Sequence, residues 1–126
     1  MNPYFTYKNL KCVVLCAGKG ARINSSLEKE PKVIISLKDK PILYYVIDYW
    51  KDFVKDFIFV VGYKEEEIIR FVKHLSIKAS FVEQKQAKGI ADAIYCAKDL
   101  VSERFIVVLG DCICRGDFIF PEDMIQ

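Results

Sequence analysis

Lys11-Cys12-Val13-Val14-Leu15-Cys16-Ala17-Gly18-Lys19-Gly20-Ala21-Arg22 decides the fold. Its first half is a short apolar run rich in β-branched residues, and it stops at two glycines that flank a lysine. That is the pattern of a strand buried on both faces of a parallel sheet and released into a tight polar loop. The loop runs on through Asn24, Ser25 and Ser26 to Pro31-Lys32, and residues 33–37 add a short extended piece. Pro41 suits the first helical position, after which Ile42, Tyr45, Val46, Tyr49, Trp50 and Phe53 recur at helical spacing.

Beyond this point the same grammar repeats. Residues 57–62 read as a second buried strand, and Ile68, Phe71, Val72 and Leu75 stripe a second helix behind Glu65–Glu67. Acidic residues in that position favour a helix N-terminus. Ala79–Glu83 is a third strand, Ile90, Ile94, Ala97 and Val101 stripe a third helix, and residues 105–110 form a fourth strand. Strands alternating with helices imply an α/β fold, a Rossmann-like three-layer α/β/α arrangement around a mostly parallel sheet. No repeat or low-complexity linker interrupts the pattern, so residues 1–126 form one domain. Ligands of such sheets bind beyond the carboxyl ends of the strands. Here those ends carry residues 17–22, Tyr63, residues 84–89 and Asp111.

Charge and composition narrow the function. Nineteen basic against seventeen acidic side chains leave a net charge of +2, far from the excess a nucleic-acid binder carries. Residues 1–40 nevertheless hold eight basic and three acidic side chains, a local bias that suits phosphate handling. Five cysteines are an odd number, and a single histidine cannot complete a zinc site with their spacings. Reduced thiols and a cytoplasmic location are expected. No apolar stretch approaches the ~18 residues that span a bilayer, so no membrane partner is expected.

Gly18 and Gly20 allow a sharp turn with amides free to meet an anion, and Lys19 and Arg22 add positive charge. The loop is not a Walker loop, which needs four residues between its glycines and a following Lys-Ser or Lys-Thr. Nor is it a dinucleotide fingerprint, since Ile23 stands where a third glycine belongs and Gly62-Tyr63 where an acid belongs after the second strand.

Five ordered blocks together resemble the sugar nucleotidyltransferase family: Leu15-Cys16-Ala17-Gly18-Lys19-Gly20-Ala21-Arg22 with Pro31-Lys32, Lys40-Pro41-Ile42-Leu43, Val60-Val61-Gly62-Tyr63, Gln84 with Gly89-Ile90-Ala91, and Leu109-Gly110-Asp111. Cys16, Ala21 and Ile90 depart from the family's more usual alanine, threonine or serine, and threonine. The resemblance implies transfer of a nucleoside monophosphate from a nucleoside triphosphate to a sugar 1-phosphate, with release of pyrophosphate. It assigns nucleotide binding to Leu15, Ala17, Gly18, Lys19, Gly20, Ala21, Arg22, Gln84 and Gly89. Arg22 would hold the β and γ phosphates, Lys32 would bridge the α phosphate and the sugar phosphate, and Asp111 would coordinate Mg²⁺. Gln84 would read the base edge.

Catalytic domains of that family are longer than this chain, so the resemblance implies its N-terminal, nucleotide-binding half. The sugar pocket and a second metal-binding aspartate would lie elsewhere, and turnover by this chain alone is not expected to match its nucleotide binding. A fourth strand left at the edge of the sheet invites homo-oligomerisation. Two further readings share the same first loop: a transferase whose acceptor is phosphocholine or a molybdopterin cofactor, and a non-catalytic nucleotide-binding or assembly module.

Overall fold

The computed structural model describes residues 10–17, 32–62 and 65–114, with the backbone alone at Lys32 and Glu65. Its elements are β1 (Lys11–Leu15), β2 (Ser36–Leu37), β3 (Lys40–Pro41), α1 (Ile42–Trp50), β4 (Asp56–Val61), α2 (Glu65–Lys73), β5 (Ala79–Glu83), α3 (Ile90–Cys96) and β6 (Phe105–Leu109). Single 3₁₀ turns occupy Lys32–Ile34 and Lys98–Leu100.

Four strands form one parallel sheet in the order β5-β4-β1-β6. β1 and β4 lie at its centre and are buried after their first residues. This is why their sequences are continuous apolar runs rather than alternating ones. On one face Cys12, Val14, Phe57, Phe59 and Val61 meet Leu43, Val46, Ile47 and Trp50 of α1 and Ile68 and Val72 of α2. On the other, Val13, Leu15, Ile58 and Val60 meet Ala93 of α3 and Ala97 just beyond it. The three layers are therefore α1 and α2, the sheet, and α3. Phe59 stacks on Phe57 and on its cross-strand partner Phe81, with ring centroids 5.8 and 5.5 Å apart. Such pairs contribute about 0.5–1.5 kcal/mol beyond their burial.

The expected elements are present, with local differences. Of the predicted stripe of α1, Val46 and Trp50 are buried and Ile42, Tyr49 and Phe53 pack half-buried against the core, with Leu43 and Ile47 added and Tyr45 left out. The helix is apolar nearly all round, so its composition does not mark the buried side. The half-buried Tyr45 instead directs its hydroxyl to the Leu37 carbonyl at 2.9 Å. Pro41 is the N-cap, not the first helical residue, because it pairs with Ser36 across a small antiparallel ladder. That hairpin turns through Lys38 at φ 64°. Ile90 is 58% exposed and drops out of the α3 stripe, which Ala93 joins; Ile94, Ala97 at the C-cap and Val101 pack against the core.

β6 pairs with β1 and, among the described residues, with no other strand. Val107 and Leu109, both more than a third exposed, lie on the sheet face that α3 covers farther in. No helix among the described residues is long and apolar enough to cross a membrane.

Candidate functional site

The strand order reverses direction at β1. β4 and β5 follow on one side and β6 lies on the other, so the carboxyl ends of β1 and β6 flank the switch point where ligands enter open α/β sheets. Sheet hydrogen bonding continues one residue past the strands and fixes the rim. Cys16 N–H donates to the Val60 carbonyl at 2.9 Å, Gln84 N–H to Val61 at 2.7 Å, and Gly110 N–H to Leu15 at 2.9 Å.

Two glycines bring these ends together. A Cβ on Gly62 would stand 3.2 Å from the Gln84 carbonyl oxygen and 3.4 Å from the Ala17 Cβ, so the glycine lets the exits of β1, β4 and β5 close on one another. A Cβ on Gly110 would stand 2.8 Å from Val33 Cγ1, 3.0 Å from the Leu15 carbonyl oxygen and 3.1 Å from Cys16 Sγ. The turn that carries Asp111 is thereby pressed against β1 and against Val33, the chain neighbour of Lys32. Asp111 itself is half-buried.

Electrostatics at the rim centre on that carboxylate. Burial pushes the Cys16 thiol up, and the nearby Asp111 charge and then Cys12 push it further in the same direction. Burial also pushes the Cys12 thiol up, to about 12. Burial disfavours the thiolate at both positions, so neither cysteine is set up as a nucleophile. Both belong to the core layer of α1 and α2.

Gln84 is 7% exposed, at the exit of β5. Its Nε2 donates to the Gly89 carbonyl at 3.2 Å and to Asp92 Oδ2 at 2.9 Å. Gly89 takes φ 97° and ψ 177°, a conformation natural to glycine, and a Cβ there would meet nothing within 4 Å. Its carbonyl also accepts from Ala93 N–H at 3.1 Å, opening α3. The segment from Gln84 to Asp92 is thus a loop closed by one side chain.

Among the predicted site residues, Leu15, Ala17, Gln84 and Asp111 converge on one rim, Leu15 through its carbonyl. Gly89 lies on the loop that Gln84 closes. Gly18, Lys19, Gly20, Ala21 and Arg22 lie outside the described residues, as does the side chain of Lys32, whose backbone opens the 3₁₀ turn beside Gly110. Sequence reasoning did not single out Asp92, whose carboxylate holds Gln84, or the contact of Val33 with Gly110. Asp92 gives a faint signal, an acid in the first turn of a helix otherwise built from small and apolar residues. His74 is exposed at the far end of α2, its Nδ1 2.8 Å from the Arg70 carbonyl oxygen.

The donor set can be tested against a metal ion. Among the described residues no group of three or more His, Cys, Asp or Glu is placed to hold one. A cation bound by protein alone is therefore not built there. Mg²⁺ has a lesser demand, because it keeps waters and takes one or two carboxylates plus substrate phosphates. The single hard carboxylate of Asp111 beside the switch point fits that ion.

Comparison with known proteins agrees with this geometry. The family model described as the MobA-like NTP transferase domain matches residues 12–119. The bifunctional protein GlmU of Methanocaldococcus jannaschii is 38% identical over 109 residues, covering 86% of this chain and 26% of that protein. The UTP--glucose-1-phosphate uridylyltransferase AglF of Haloferax volcanii is 35% identical over 111 residues, covering 86% of this chain and 46% of that protein. The crystal structure of HddC from Yersinia pseudotuberculosis complexed with GMP-PN superposes with a TM-score of 0.77 at 29% identity, covering 92% of this chain and 52% of that one. The chain thus spans about half, or less, of the length of each.

Proposed function

Because the chain belongs to the MobA-like NTP transferase domain family, we propose that it forms the nucleotide-binding portion of a sugar-1-phosphate nucleotidyltransferase. The observation that carries this reading is the convergence of Ala17, Gln84 and Asp111 around the switch point, with Gly110 fastened to Leu15 and Val33.

In the proposed reaction a phosphate oxygen of the sugar 1-phosphate attacks the α phosphorus of the nucleoside triphosphate. The new P–O bond forms as the α–β bridging bond breaks, and pyrophosphate leaves in line. Such a transfer needs positioning and charge neutralisation more than covalent help from the protein. The loop of residues 18–22 cradles the triphosphate, with Arg22 on its β and γ phosphates. Lys32, at the turn packed against Gly110, spans the α phosphate and the incoming sugar phosphate. Both side chains are cationic at neutral pH. Asp111 holds Mg²⁺. When bound, Mg²⁺ neutralises charge on the phosphate oxygens.

The sugar 1-phosphate acceptor is supported by the relative AglF, a UTP--glucose-1-phosphate uridylyltransferase, rather than by any described residue. The family name alone leaves room for a molybdopterin acceptor, which an acceptor panel separates. The decisive experiment follows pyrophosphate release with each nucleoside triphosphate, with and without Mg²⁺, against glucose 1-phosphate, N-acetylglucosamine 1-phosphate, phosphocholine and molybdopterin. Mg²⁺-dependent release with a sugar 1-phosphate supports the reading. Release only with another acceptor replaces it. Triphosphate binding without release from any acceptor restricts this chain to nucleotide binding.

A further inference from the structure

Val33 is the middle residue of the 3₁₀ turn Lys32–Ile34 and is 4% exposed, packed in the same core layer as Cys16. Its Cγ1 stands 2.8 Å from where a Cβ on Gly110 would lie, closer than the Leu15 carbonyl oxygen at 3.0 Å or Cys16 Sγ at 3.1 Å. Gly110 is in turn the first central residue of the β-turn that Cys112 N–H closes on the Leu109 carbonyl at 3.2 Å, and Asp111 is the second. One methyl group therefore lies between two stretches of backbone. On one side is the turn that carries Lys32, on the other the turn that carries Asp111.

The two contacts of Gly110 differ in kind. A backbone hydrogen bond to Leu15 fixes the Asp111 turn relative to the sheet, whereas side-chain packing on Val33 meets the Lys32 turn. Close-packed interiors transmit displacement with little slack, so the reach of the Val33 side chain sets how far apart the two turns stand. We propose that Val33 is a positioning residue: it spaces Lys32 from Asp111 so that the cation and the metal carboxylate reach one triphosphate together. The inference rests on the roles proposed above for Lys32 and Asp111. In-line transfer tolerates little error in such spacing, since a misplacement of about 1 Å can cost about 100-fold in rate. The valine supplies distance and no chemistry of its own.

The test is calorimetric titration of the chain with UTP, dTTP, GTP, CTP and ATP over a series of Mg²⁺ concentrations. The quantity read is the Mg²⁺ concentration that gives half-maximal binding of the tightest triphosphate. Val33→Ala, which removes the spacing methyl groups, should raise that concentration about 10-fold, the lower end of what outer-shell changes cost a metal site. Val33→Thr keeps the branched shape and should leave the requirement near that of the unaltered chain. Val46→Ala is the control. It removes the same groups from the same core layer, on α1, and should lower the melting temperature without moving the Mg²⁺ requirement. A merely structural Val33 would likewise move the melt alone. Should Val33→Ala fail to fold, Gly110→Ala disturbs the same contact by adding an atom and should raise the requirement in its place. An unchanged requirement in the folded variants, or an equal rise in Val46→Ala, overturns the proposal. Binding of no triphosphate, or binding indifferent to Mg²⁺, overturns the site on which the proposal rests and the proposal with it, a different result from either.

Discussion

The amide of Gly110 donates to the carbonyl of Leu15 at 2.9 Å, so the turn bearing Asp111 is fastened to the strand that leads into Gly18 and Lys19. The exits of β1 and β6, at Cys16 and Gly110, stand at the same level. What joins them is backbone, with a glycine at the point of closest approach.

Gly110→Ala should therefore be costly. Its methyl would meet Val33 Cγ1 at 2.8 Å, the Leu15 carbonyl at 3.0 Å and Cys16 Sγ at 3.1 Å. Overpacking of this kind costs about 1–3 kcal/mol. A chemical melt should show that loss, and adding Val33→Ala should return part of it by removing the nearest atom. A pair that is no better than Gly110→Ala alone would place the strain in the backbone contact instead.

Arg22→Ala and Asp111→Asn should separate binding from chemistry. Removing the guanidinium should weaken triphosphate binding about 10-fold or more, as expected for a lost charge-assisted contact. Asp111→Asn should lower Mg²⁺-dependent pyrophosphate release by about 100-fold where the chain turns over, and abolish the Mg²⁺ dependence of binding where it does not. Calorimetry at two Mg²⁺ concentrations reads both.

Stability should fall in alkali through the buried thiols. The Cys12 thiol is raised from the usual 9.0 to about 12 by burial, and Cys16 is raised as well. Between those values the unfolded chain releases the proton while the folded chain keeps it, so the unfolded state gains. The contribution is fully present below pH 9 and is lost as pH rises toward 12, by about 1.4 kcal/mol per pH unit for each thiol. Urea melts at pH 8 and pH 10 should show the drop, and Cys12→Ala should flatten the slope. The same protection predicts slow alkylation of Cys12 and Cys16 in the folded chain at pH 8, against rapid labelling in urea.

Self-association should depend on β6. Its outer edge is unpaired among the described residues, its sequence is uncharged, and Val107 and Leu109 are partly exposed. Light scattering across a concentration series should show dimers or larger species for the unaltered chain. Val107→Lys should shift the population toward monomer, since a lysine on an edge strand opposes further pairing. Monomer at all concentrations would remove the edge as an interface.

The parallel sheet and its order of elements were legible because β1 and β4 are covered on both faces, which forces uninterrupted apolar runs. Details failed where that pressure is absent. Nearly every residue of α1 is apolar, so Leu43 and Ile47 could not be told from Tyr45 as core-facing. The β2–β3 hairpin has two-residue strands and turns at Lys38 without the glycine or asparagine that usually announces a positive φ. Ile90 opens α3 and is largely exposed. At the site, Asp111, Gln84 and Gly89 could be placed from their positions at strand exits. The clamp from Asp92 to Gln84 could not, because it depends on how the intervening loop folds back.

β1 pairs with β4 on one side and with β6 on the other, Lys11 standing opposite both Asp56 and Phe105. β1 thus waits for β6 to cover its second flank. During synthesis β1, β4 and β5 can assemble while β6 is still inside the ribosome, with one flank of β1 open and Asp111 not yet delivered. Closing that flank joins distant parts of the chain, which makes it a slow step. A nascent chain gains its carboxylate and covers the open flank of β1 in the same event, so the rim is completed only as that inner edge closes.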